Sequence, residues 1–235
     1  ITGIPSSIDV VMVLKVIGLA ILCAILSSLF CIFMTIVHKL FRKYFKNQYL
    51  RVFAGGLMLV LLNIVLKTTD YNGTGMNIIA KALNGDAQPA VFLLKALFTA
   101  ITIGCGFRGG EIVPSFFVGA TFGCVAGGLM GMDPGFAAAL GMVCFFCGVV
   151  NCPLTSLFLS IELFGANGIM FFTIGCAVSY MLSGYYSLYN EQKIIYSKLR
   201  PHYVNLYTNQ EIRTKEPGFL EGFLRIREDD ADDVE

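Results

Sequence analysis

GFRGGEIVPSFFVGATFG, residues 106–123, sits in the middle of a strongly apolar chain and sets an arginine, an acid and a glycine pair directly before Val113-Pro114. Proline suits the first turn of a helix, where its missing N–H is no loss. The apolar run from 113 to 130 is therefore read as a helix beginning at this proline. Gly109 and Gly110 are read as a sharp turn that brings the chain in close and leaves the amides of Glu111, Ile112 and Val113 aimed ahead of the helix. Free amides at the positive end of a helix dipole form an anion site. Inside a membrane they supply partial charge without the desolvation cost of a lysine, so an anion is held without being trapped. Taken alone, the same residues make a tight connection between two packed helices.

The surroundings decide which reading applies. Of 235 residues, 56% are hydrophobic and only 14% charged, and the mean hydropathy is +0.71, far above what a soluble core requires. The chain belongs in a lipid bilayer. A net charge of +1 without a basic stripe excludes nucleic acid as a partner. Eight cysteines lie in or beside apolar segments and read as small buried hydrophobes. Cys144 and Cys147 form a CxxC, but without a second pair or a nearby histidine it is not a zinc site, and no metal or cofactor is expected. Only two histidines occur, with no HExxH or GxSxG, so an enzyme is the weakest function class.

Residues 9–40 form one long apolar block, with Asp9 as the expected N-cap, long enough to cross the bilayer at a tilt. The connection 38–51 is basic without an acid and is placed on the cytoplasmic side. A second apolar segment, 52–66, leads to the polar loop KTTDYNGTGMN, which by alternation faces outside. After a short amphipathic piece at 76–83 come apolar segments at 91–103, 113–130, 134–150, 153–164 and 169–182. Several are too short to span. Gly, Pro, Asp and Asn punctuate them, as in transporters whose sites are built from broken helices. Small residues at helical spacing, Gly119, Gly123 and Gly127 and again Ala137 and Gly141, predict close helix packing. Residues 1–200 are read as a transmembrane unit and 201–235 as a polar cytoplasmic tail, partly disordered.

Three stretches, KALFTAITIGCGFRGGEIVPSFFVGATFG (95–123), NCPLTSLFLSIELFG (151–165) and KIIYSKL (193–199), together resemble the CLC family of chloride channels and proton-coupled anion exchangers. The resemblance implies an all-α membrane fold of tilted and broken helices, here the second of two inverted repeats. It implies backbone contacts from Glu111 and Ile112 to a central anion, with Gly110 and Val113 shaping the loop and the Tyr196 hydroxyl reaching the same ion. KIIYSKL resembles the approach to the family's final helix. Glu111 departs from the commoner apolar residue of the filter pattern. Its carboxylate is expected to pair with Arg108; facing the pathway, it would bear on anion preference or proton movement. Glu162 is expected to cap or pair structurally.

The family's first-half motifs, GxEGP and a GSGIP type, do not occur in these 235 residues. Half of the pathway is expected to lie in a first half outside this sequence, and without it the chain is not expected to transport. The resemblance implies a homodimer in the cell membrane, chloride as substrate and proton as counter-ion. A passive channel, a fluoride/proton antiporter and a non-transporting membrane scaffold stay open as alternatives.

Overall fold

In the computed structural model, residues 9–68, 70–198 and 203–209 are described. Eight helices account for most of them: α1 (Val10–Tyr44), α2 (Gln48–Leu66), α3 (Met76–Leu83), α4 (Val91–Gly104), α5 (Ile112–Leu129), α6 (Pro134–Val150), α7 (Pro153–Phe164) and α8 (Ile169–Leu182). Helices α1, α2 and α5 are long and apolar enough to cross a membrane. At 1.5 Å per residue α1 is about 52 Å long, well beyond a ~30 Å hydrocarbon core, so it runs past the boundary or lies tilted. Asp9 stands at its N-cap with no side-chain cap bond, and Arg42 and Lys43 occupy the negative end of its dipole.

The centre of the bundle is α6. Every residue from Gly135 to Val150 is buried, as expected of a helix apolar on all sides. Its start is fixed by Pro134 in the first turn and by the Asp133 carboxylate, which accepts from the Phe136 amide at 2.9 Å. It ends at Asn151 in the left-handed region (φ 57°). The Asn151 side-chain amide donates to the Tyr186 carbonyl at 2.8 Å, tying this end to the segment after α8.

Helix α5 packs on α6 with almost no side chain between. A methyl group at Gly123 would stand 2.8 Å from the Gly141 Cα and press on the Ala137 carbonyl oxygen, and one at Gly119 would stand 2.9 Å from the Met142 Cα. The small-residue spacing in the sequence is this interface. On the opposite side α1 and α8 close the core: the Ser179 hydroxyl donates to the Cys144 carbonyl at 2.7 Å, and the Ser28 hydroxyl to the Ser183 carbonyl at 2.9 Å. The eight thiols are free; seven are buried and Cys152 is half-buried. Outside this core, α2 rests mainly on the end of α4, with Gly55 against Cys105 and the Arg51 Nε donating to the Cys105 carbonyl at 3.2 Å, and its Asn63 side chain bonds Asn72 of the loop before α3. Its other faces expose Phe53, Leu57 and Leu61.

One departure from an all-helical reading follows α8. Residues of KIIYSKL form a strand, β1 (Lys193–Tyr196), antiparallel to β2 (Tyr203–Tyr207) with an irregularity between Ile194 and Tyr196. The expected approach to a final helix is thus a strand through Tyr196. The β-branched and aromatic residues Ile194, Ile195 and Tyr196 suit a pleated surface, and only Ile194 of the strand is buried. Beyond β2 the chain returns to the bundle: the Asn209 amide donates to the Tyr185 carbonyl at 3.1 Å, and its side chain to the Ser187 carbonyl at 2.7 Å. Residues 203–209, read from the sequence as the start of the tail, thus include a strand paired with β1 and are hydrogen-bonded to the segment after α8. Residues 210–235 of the tail lie outside the described residues.

Because the atoms facing Gly123 are backbone, a side chain there has nothing flexible to displace. Gly123→Val is expected to destabilise the protein by about 1–3 kcal/mol or more, lowering the midpoint of thermal unfolding in detergent. Gly128→Ala, whose added methyl meets only Pro134 Cγ at 3.9 Å, is expected to leave it unchanged.

Candidate functional site: an open helix start between two clefts

The site is built where α4 ends and α5 begins. Gly106, at φ 104°, makes the turn that only glycine adopts freely. Its amide donates to the Ile103 carbonyl at 3.1 Å and that of Phe107 to Thr102 at 3.2 Å, closing the end of α4. Gly109 and Gly110 do not have positive φ, so the sharp turn expected of them is made by Gly106 instead. What they provide is space: a methyl group on either would meet nothing within 4 Å.

Glu111 is the N-cap of α5, with no side-chain cap bond. The first backbone bond of the helix runs from the Ser115 amide to the Glu111 carbonyl at 3.1 Å. Pro114 has no N–H. Among the described residues, the amides of Glu111, Ile112 and Val113 therefore have no protein acceptor, and they carry the positive end of the helix dipole. Helix α5 holds this start rigidly because its body is locked to α6, while the Ser115 hydroxyl is turned back onto the Ile112 carbonyl at 2.6 Å.

Two clefts flank this start. One, of about 440 Å³, is lined by Glu111 together with His38 and Arg42 of α1 and Ser187 and Asn190 after α8. The other, of about 340 Å³, is lined by Gly109, Gly110 and Val113 with Lys95 and Thr102 of α4 and Gly73 of the loop before α3. Ile103 borders both. The helix start is thus a partition with open volume on either side.

Gly110, Glu111, Ile112 and Val113 are brought together as the resemblance implies, by their adjacency in the chain. Tyr196 is not brought to them. It is 66% exposed on β1, stacked edge-on against Tyr203 at 5.9 Å between ring centroids, and it lines neither cleft. The expected pairing of Glu111 with Arg108 is also absent among the described residues; the glutamate borders the larger cleft. Glu162 is exposed on α7 without a described partner.

Two lysines, Lys95 buried and Lys198 half-buried, were not singled out from the sequence. Lys95 is 2% exposed, and its Nζ donates to the carbonyls of Tyr71 (3.0 Å) and Gly73 (2.6 Å). Lys198 donates to the Asn151 side-chain oxygen and, at 2.9 Å, to the Ser183 hydroxyl, with its charge over the Tyr180 ring at 4.5 Å. The available signal for Lys95 was a single lysine inside an apolar helical segment, which in a membrane marks function.

A sequence profile described as "Voltage gated chloride channel" matches residues 2–184. The chain belongs to the voltage gated chloride channel, or CLC, family. Within it, the chain is 33% identical over 176 residues to a chloride/fluoride channel protein of Pseudomonas syringae pv. tomato, covering 71% of this chain and 39% of that protein. It is 26% identical over 155 residues to the H(+)/Cl(-) exchange transporter ClcA of Vibrio cholerae, covering 60% and 33%. A crystal structure of a CLC-type fluoride/proton antiporter superimposes with a TM-score of 0.76 at 31% identity, over 80% of this chain and 48% of the other. The chain spans less than half the length of these proteins. It is a membrane protein of a channel and transporter family, and its mostly helical fold is that of a CLC protein.

Since Gly110 is free of backbone strain and faces open space, Gly110→Ala isolates access to the amides from folding. Thermal stability is expected to stay at the wild-type value; if the open amides hold an anion, its affinity measured by titration calorimetry is expected to fall about tenfold, equivalent to ~1.4 kcal/mol.

Proposed function

We propose that this chain is the second-repeat half of a proton-coupled CLC anion exchanger, in which the amides of Glu111 and Ile112 hold the transported anion and Gly110 and Val113 shape its cradle. The observation that carries this reading is the rigid start of α5: unbonded amides, a proline without N–H, and an unfilled space beside two glycines, set between two clefts. Such a site stabilises an anion by directed N–H donors while leaving it two ways out.

The clefts also suggest an orientation. The larger one is bordered by the basic end of α1, and the segment carrying Ser187 and Asn190 is also held by Asn209. With positive residues inside, this cleft and the residues after α8 are cytoplasmic, and the cleft beside the 70–75 loop is external. The missing half of the pathway would come from a first repeat, and the functional unit would be a homodimer. The apolar surfaces of α2 and α7, with Phe53, Leu57, Leu154 and Phe158 exposed, are where lipid, the first repeat or a second copy would pack.

Fluoride is the second reading for the substrate. It is supported by the names of the Pseudomonas protein and the superimposed antiporter and by Glu111, whose carboxylate borders the cytoplasmic cleft without Arg108. The test is the intact transporter that contains this chain, reconstituted in liposomes with opposed chloride or fluoride gradients and a pH-sensitive dye. Uphill proton movement driven by either anion is expected, and the anion that drives it identifies the substrate. Anion flux without proton movement would replace the exchanger with a passive channel. No flux of either anion would leave a membrane scaffold.

The role of Tyr196 rests on the resemblance of KIIYSKL, which lies beyond the residues matched by the family profile. If its hydroxyl donates to the anion in the assembled pathway, Tyr196→Phe removes one charge-assisted hydrogen bond, about 1.5–3 kcal/mol, and weakens binding at least tenfold. Unchanged affinity in that variant would assign the ion to the backbone amides alone.

A further inference from the structure

The external cleft contains a charge that the anion-cradle reading does not use. Lys95 lies in the middle of an apolar helix and is 2% exposed, yet it borders the same cleft as Gly109, Gly110 and Val113. Two of its three N–H groups are taken by the carbonyls of Tyr71 and Gly73. Carbonyl oxygens satisfy hydrogen bonds but do not cancel a unit charge. Among the described residues no carboxylate pairs with it, and its other close neighbour is the face of Phe117, 5.1 Å from the ring centroid, which tolerates a cation without neutralising it.

We propose that Lys95 is a positioning residue that supplies the fixed positive charge of the external cleft and draws anions toward Gly110 and Val113. The inference rests on the anion-cradle reading above. A lysine kept only to tether the 70–75 loop would be an expensive choice, since a neutral donor makes hydrogen bonds to carbonyls without burying an ion. An uncancelled charge between low-dielectric walls concentrates counter-ions in the space it faces. Here that space is bounded by the open side of the α5 start. The two carbonyls hold the ammonium at the wall, so it attracts the anion without entering the path and becoming its final ligand. Transfer is then from a diffuse point charge to directed amides, a step that leaves the ion free to move on.

The experiment uses the intact transporter in liposomes, with chloride or fluoride, whichever the wild type carries, varied on the side bearing residues 70–75. Lys95→Met keeps the side chain's length and removes its charge. It is expected to raise the KM for the anion about fivefold and to flatten the dependence of KM on added impermeant gluconate salt, because the charge that salt screens is gone. Lys95→Arg is expected to restore both. Because Lys95→Met also cuts the tie to the loop, a second pair reads the charge without touching it: Thr74 is exposed and borders the same cleft. Thr74→Asp is expected to raise KM and Thr74→Lys to lower it, each about two- to threefold, with unchanged thermal stability. If the wild type transports and the Thr74 pair leaves KM and its salt dependence unchanged, the external charge is irrelevant and the proposal fails while the cradle stands. If the wild type moves no anion, both fail together.

Discussion

Everything in this helical bundle hangs on the contact between α5 and α6. In lipid there is no solvent to drive helices together, and association depends on how closely backbones approach. Gly119, Gly123 and Gly141 remove their own side chains from the centre of the contact, so there the two helices meet main chain to main chain. Helix α6 is in turn enclosed by α1, α7 and α8. The start of α5 is therefore fixed not by its own loop but by the whole bundle. A loop of glycines alone would give amides without a position; the α5–α6 contact gives them one.

That positional rigidity is what an anion site made from partial charges requires. A backbone amide is a weak donor compared with an ammonium, and it is useful only when several converge without reorganising. In the proposed reading the labour is divided: amides of the α5 start for direct contact, and Lys95 set back at the wall of its cleft for attraction at a distance. Basic residues His38 and Arg42 stand in the corresponding place in the other cleft.

Helix positions were legible in the sequence because punctuation and length agree. The segments read at 134–150, 153–164 and 169–182 are α6, α7 and α8, and Pro134, Pro153 and Gly168 stand at their starts for the stereochemical reasons that made them readable. Helix α1 runs on to Tyr44 and α2 starts at Gln48, because basic residues at a helix end do not stop it. The open amides were legible from Val113-Pro114. The contribution of the glycines was not: φ values distinguish Gly106, which turns the chain, from Gly109 and Gly110, which leave room, and composition does not. Nor did the one-dimensional pattern reveal that Tyr196 sits on a strand, since a four-residue run of lysine, isoleucine and tyrosine suits a helix entry equally well. Lys95 was visible as a letter, but its lack of a carboxylate partner is a fact about neighbours distant in sequence.

The hydroxyl side chains carry a consequence for how such a bundle assembles. Ser27, Thr99, Thr102, Thr121, Ser156 and Ser160 each donate to a carbonyl three or four residues earlier in their own helix. Each of these polar groups is therefore satisfied by its own helix and needs no partner from a neighbour. Docking of these helices then adds packing without having to supply their hydroxyl bonds. The bonds that reach between helices, such as Ser179 to Cys144 and Ser28 to Ser183, then act as locks that close only when the register is right.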